Sequence, residues 1–427
     1  MMRRKKNYSP IYFRLMIEFE SYKLKNGLKV ILHHDSTSPM VVVNTLYDVG
    51  ARDEHEDKTG FAHLFEHLMF GGSINIEDFD QELQKAGGES NAFTSNDLTN
   101  YYEIIPANNI ETALWLESDR MLSLAFTEKS LDVQRSVVIE EFKQRYLNQP
   151  YGDVWLELRP LVYEKHPYKW ATIGKDITHI EKVEMSDVRA FFKKHYNPAN
   201  AILCVSGNFI SKEVKALIEK YYGEIPGGIK PARLLPSEPN TNKFKTKSIN
   251  RDVPADAFYY AFKMSERKSA GYYLGDFLSD AIGKDQSSLL NIRLKKELGL
   301  VSDINAFITG SIDEGLFLIT GKLSENIDFE TLDKALWEKI DEIKETGFTE
   351  RKLKSLKNKM STSKAFQDQG LLNRSINLCM FELLGDANGI NEEEEIYQRI
   401  ENNDILRFAK TTLVKDNCAL LKINKKK

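Results

Sequence analysis

Apolar and polar positions divide the chain into short elements with clear stops. Residues 22–32 form two alternating runs around Lys25, Asn26 and Gly27, and an Asn-Gly pair in that setting predicts a β-hairpin. Residues 41–47 are β-branched and almost wholly apolar, as expected of a buried strand. A helix is predicted from Thr59, a good N-cap, to the Gly71 and Gly72 stop, and another over 76–86, halted by Gly87 and Gly88. Residues 92–105 read as a strand or hairpin, 110–124 as a helix, and 128–146 as a helix capped by Thr127. A short apolar strand over 201–207 ends at Gly207, and a helix follows over 212–222.

After Tyr222 the texture changes. Residues 223–247 hold Pro226, Gly227, Gly228, Pro231, Pro236 and Pro239 with little apolar pattern, which predicts a linker over 226–247. Beyond it the order of elements recurs. A strand over 257–264 and a helix over 272–282 lead to paired strands at 304–308 and 316–323, then a helix over 329–346. A long polar helical region follows, and an apolar run from Cys418 closes the chain as the strand at 201–205 closes the first part. The pattern predicts an α+β protein of two similar α/β-sandwich halves, residues 17–225 and 248–427. Each would have an antiparallel-rich sheet with helices packed on it, and the Pro/Gly-rich linker would join them. Residues 1–16 are expected to be a disordered arm or extra residues ahead of a true start at Met16.

Length and charge narrow the function. A chain of 427 residues exceeds what one core normally holds. Lys and Arg number 59 against 63 Asp and Glu, a balance that argues against a nucleic-acid partner. No run approaches roughly 18 uninterrupted apolar residues, so no membrane helix is expected. The basic residues 3–6 precede an apolar run broken by Arg14, which is a poor export signal. Three cysteines, Cys204, Cys379 and Cys418, are too few and scattered for a disulfide framework or a thiolate zinc site. A cytoplasmic location is the resulting expectation.

The chemistry concentrates in residues 60–71. On a helix, positions i, i+3 and i+4 share a face, so His63, Glu66 and His67 project together. Two imidazoles one turn apart can hold Zn²⁺, with a carboxylate beside the metal to move protons. The order H-x-x-E-H is a recognised metallopeptidase signature. The plainer reading is a solvated polar face. Against it, Phe61, Ala62, Leu64, Phe65, Leu68, Met69 and Phe70 make the helix apolar nearly all round, and buried His and Glu side chains need partners. Two histidines leave zinc short of a ligand, and Glu140 and Glu141 follow an apolar run on a separate helix. A Glu-Glu pair there would ordinarily be a solvated face.

Three motifs in order resemble the pitrilysin-type zinc peptidases, which include insulin-degrading enzyme and the mitochondrial processing peptidase. They are H-x-x-E-H at 63–67, the segment from Gly87 to Tyr102 containing Asn91, Ala92, Phe93, Thr94 and Ser95, and the run from Gln134 to Glu141. The resemblance covers most of residues 24–209 and is that of a half-size member, like the processing-peptidase subunits. It implies that His63, His67 and Glu141 bind one Zn²⁺ per chain and that Glu66 is the general base. It further implies that Asn91, Ala92, Phe93 and Thr94 form the edge strand on which an extended peptide is laid, by β-strand addition. The activity implied is zinc-dependent endopeptidase cleavage of peptides or short unfolded segments.

Two departures qualify it. Many members carry Glu where this chain has Gln134. Active members also place an Arg and a Tyr seven residues apart in the second half. Aligned on Gly299, those positions hold Lys295 and Ser302; aligned on Arg293, the Tyr position holds Leu300. Losing an oxyanion donor typically costs on the order of 10²- to 10³-fold in turnover. Some relatives divide the labour between a zinc-bearing subunit and a homologous zinc-free partner. The expectation is therefore a dimer, a heterodimer of that kind before a homodimer. The rival is a weak or inert assembly subunit, which has no chemical need for His63, Glu66, His67 and Glu141 together.

Overall fold

The computed structural model describes residues 16–239 and 243–426, so the expectation for residues 1–15 lies outside the described residues. Two mixed sheets organise the chain. The first contains β1 (Glu20–Lys23), β2 (Lys29–His34), β3 (Met40–Tyr47), β4 (Glu89–Thr94), β5 (Thr99–Pro106) and β6 (Ala201–Gly207), in the spatial order β1-β2-β6-β3-β5-β4. The second contains β7 (Lys245–Arg251), β8 (Ala257–Lys263), β9 (Val301–Ile308), β10 (Leu316–Leu323) and β11 (Cys418–Lys425), in the order β7-β11-β8-β10-β9.

The second sheet repeats the first, strand for strand, from β2 onwards. In each the pairing that joins the first and last strands in sequence, β2–β6 and β7–β11, is parallel, and every other pairing is antiparallel. The α+β fold of two similar halves thus stands as the element order predicted. Residues 245–247, assigned to the linker, instead begin strand β7.

The helices that build the site lie in the first half: α1 (Phe61–Leu68), α2 (Phe79–Lys85), α3 (Ile110–Leu122), α4 (Glu128–Phe142) and α5 (Val154–Val162). Local chemistry sets their ends. Gly60 caps α1 at φ +90°, where a Cβ would lie 2.6 Å from the Ile173 carbonyl oxygen, so the helix begins two residues after Thr59. The buried Glu54 carboxylate accepts the N–H groups of Gly60 and Ala62, both at 2.9 Å, meeting donors that the first turn leaves free. Asp78 accepts the Gln81 N–H and so delays α2 to Phe79. Thr127 caps α4 as expected, but the helix loosens into a π-turn, Lys143–Leu147.

Alternation along the strands explains the layering. Val30 and Leu32 join the core beneath α1 and α3, while Ile31 faces the opposite side with Leu378 and Cys379 of helix Leu371–Leu384. Phe258, Tyr260 and Phe262 likewise pack with second-half helices, whereas Ala257 and Ala261 meet Val154, Leu158 and Val162 of α5. Each half therefore lends a helix to the outer face of the other half's sheet.

Candidate active site

The polar face of α1 is held over the core by its own apolar residues. Phe61, Ala62, Leu64, Phe65 and Leu68 are buried, which leaves His63, Glu66 and His67 half-buried on the remaining face. Helix α4 crosses α1 and brings Glu141 to the same place, because Val138 and Phe142 bury the adjoining face of α4. The Glu141 Oε2 lies 3.6 Å from His63 Nε2 and 3.3 Å from His67 Nε2. One ligand atom from each residue lies within 4.8 Å of the others, the only such His/Cys/Asp/Glu cluster among the described residues. Glu140 points elsewhere, exposed and paired with Lys143 at 2.7 Å.

The donor set fits a divalent metal. Tetrahedral zinc with bonds of about 2.1 Å needs its donors about 3.4 Å apart, close to the two separations from Glu141. The side chains are 12%, 24% and 16% exposed for His63, His67 and Glu141, so the three groups are sheltered but still open to solvent. Burial pushes the His63 imidazole down to about 4, so it is neutral and able to ligate near pH 7. The nearby His67 ring holds the Glu141 carboxyl below its usual range, against burial and with help from His63 and Arg145. Burial raises Glu66 above the usual carboxylate range, opposed by a hydrogen bond from Thr94.

The predicted substrate strand lies beside this cluster. β4 pairs only with β5, leaving its other edge open among the described residues, and it packs against α1. Asn91 and Phe93 are exposed, Ala92 and Thr94 half-buried, and Asn91 Oδ1 accepts the Ala92 N–H at 2.8 Å. Thr94 also donates its hydroxyl to Glu66 Oε2 at 2.5 Å, a contact the sequence reading did not foresee. It likewise missed Arg145, whose guanidinium pairs with Glu141 Oε1 at 2.9 Å. Their i,i+4 spacing was the available signal.

The second-half positions examined for an Arg/Tyr pair provide none. Arg293 pairs with Glu297 at 3.1 Å on the π-turn Asn291–Glu297, which also carries the exposed Lys295. Leu300 is buried just before β9, and Ser302 lies on that strand. His166 is engaged by the Tyr168 N–H and by Asp313, in keeping with a structural role, and Tyr101 packs fully buried.

The family model described as Insulinase (Peptidase family M16) matches residues 29–159, and that described as Peptidase M16 inactive domain matches residues 182–360. Zinc protease PqqE of Helicobacter pylori is 30% identical over 344 residues, 79% of this chain and 77% of its own length. A probable mitochondrial-processing peptidase subunit beta of Arabidopsis thaliana is 24% identical over 244 residues, 56% of this chain and 46% of that one. The solved structure of a protease from H. pylori matches with a TM-score of 0.89 at 26% identity, covering 96% of this chain and 100% of that one. A peptidase M16 inactive domain from Pseudomonas fluorescens shares the fold, with a TM-score of 0.85 at 18% identity over 96% of this chain and 98% of its own.

Proposed function

The chain belongs to peptidase family M16, and on that premise we propose that it is a zinc metalloendopeptidase acting on peptides or short unfolded segments. The observation that carries this reading is the convergence of His63, His67 and Glu141 within 4.8 Å, with Glu66 on the same helical face and an open strand edge alongside. Relatives named as zinc proteases support the choice of metal.

His63, His67 and Glu141 would hold one Zn²⁺, which when bound supplies a Lewis acid for carbonyl polarisation and water activation. The remaining work falls to the chain. The backbone of β4 aligns an extended peptide by strand addition, with Asn91, Ala92 and Phe93 along the contact. Glu66 takes a proton from the attacking water and delivers it to the departing amide nitrogen. Its partly buried setting raises its proton affinity, which suits a group that must both accept and release.

The missing Arg/Tyr pair points to a second subunit. We assign this chain the zinc-bearing role in a dimer, with a homologous zinc-free partner supplying the oxyanion donors. The half-length match to a processing-peptidase beta subunit is in keeping with that role. The test is cleavage of a mixed peptide pool by the purified chain, with chelator and after zinc is restored. Cleavage that stops with chelator and returns with zinc is expected, weak alone and stronger with the partner. Cleavage indifferent to chelator would overturn the peptidase reading, and a fully active monomer would overturn the dimer.

A further inference from the structure

The open strand edge and the proton-carrying group meet at one hydrogen bond. Thr94 is the last residue of β4, paired with Thr99 of β5, and its hydroxyl donates to Oε2 of Glu66 on α1. The bond joins two elements that the chain separates by 28 residues. It lies in a half-buried setting, where a hydroxyl-to-carboxylate bond is among the stronger kinds. A β-branched side chain has few χ1 positions, and the bond to Glu66 selects one of them, so the hydroxyl's place is tied to that of the strand end. Glu66 Oε1 has no hydrogen-bond partner among the described residues.

Resting on the zinc-peptidase reading, we propose that Thr94 is a positioning residue that links occupation of the β4 edge to the orientation of Glu66. Its hydroxyl fixes Oε2, which directs Oε1 at the water and the scissile amide. A peptide paired along Glu89–Thr94 steadies the strand end that carries the hydroxyl, so the base is held best when the edge is filled. Binding energy from distant substrate residues then appears in kcat as well as in KM. Peptides long enough to pair along the whole strand turn over faster than short ones with the same scissile bond.

The experiment compares the zinc-loaded wild type with Thr94→Val, Thr94→Ser and the Glu66→Gln baseline on long and short peptides. Crystal structures of the wild type and Thr94→Val accompany the kinetics. Thr94→Val is expected to keep its zinc and KM, lose roughly 10- to 100-fold in kcat, and lose the kcat advantage of long peptides. Its Glu66 carboxyl should be turned from the wild-type position. Thr94→Ser, which restores the hydroxyl, should recover most of the rate. Wild-type kcat in Thr94→Val, an unmoved Glu66, or equal losses in the Val and Ser variants would overturn the proposal while leaving the peptidase reading intact. A zinc-loaded wild type no faster than Glu66→Gln, with its partner present, would overturn both.

Discussion

Leu158 belongs to the first half of the sequence, yet its fully buried side chain lies in one apolar cluster with Ala257, Ala261, Leu318 and Leu421 of the second sheet. Leu158→Ala removes three carbons from that contact. At about 0.8 kcal/mol per buried CH₂ the transfer loss is about 2.4 kcal/mol, and the cavity left behind brings typical Leu→Ala costs to about 3–5 kcal/mol. Small neighbours such as Ala257 and Ala261 cannot swing in to fill the space, which favours the upper part of that range. The assay is guanidinium denaturation with hydrogen exchange resolved by segment. Protection should fall in β8, β10 and β11, in the half that does not contain the substitution. A loss below about 1 kcal/mol, or one confined to the strands of the first sheet, would refute the exchange of helices between halves.

Three further outcomes follow from named contacts. Glu141→Gln should abolish stoichiometric zinc while Glu140→Gln retains it, as read by elemental analysis; equal loss in both would show that the third donor is misassigned. Burial pushes the Asp35 carboxyl up, but hydrogen bonds from Thr37 and Arg374 bring it down to about 2. Against an unfolded value of about 3.9, this pair stabilises the fold fully above about pH 4 and loses that contribution as pH falls toward 2. Arg374→Leu should therefore narrow its stability deficit over that interval, and a pH-independent deficit would contradict the assignment. Cys204, Cys379 and Cys418 are all buried, and burial raises the thiols of Cys379 and Cys418, so native protein should resist a thiol reagent that labels all three after denaturation. Rapid labelling of the native protein would contradict their burial.

Much of this was legible in the chain because single residues decide local outcomes. Asn26 and Gly27 fix the first hairpin, Thr127 fixes the start of α4, and the apolar residues around His63 and His67 determine which face of α1 remains polar. The repeated strand order was visible as a recurrence of elements. What covers each sheet was not. The continuous apolar run of β3 shows that both of its faces are buried, but it cannot say that helix Leu371–Leu384, more than 300 residues away, supplies one cover. Adjacent residues on a helix differ by about 100°, so residue type alone could not separate Glu141 from Glu140; the family resemblance pointed to Glu141, and the packing of α4 on α1 brings that residue to the histidines. Thr94 read as part of a substrate edge, and only the packing of α1 on β4 brings its hydroxyl to Glu66.

The most direct test of the central claim is the rate of peptide cleavage by Glu66→Gln beside the wild type, with zinc content measured in both. The substitution keeps size and one acceptor oxygen for the Thr94 hydroxyl while removing the carboxylate that carries the proton. Equal zinc with cleavage lost in the variant, commonly by 10²-fold or more for a proton-transfer group, is the result expected. Equal zinc with an unchanged rate would contradict the assignment of Glu66 and, with it, the mechanism built on this site.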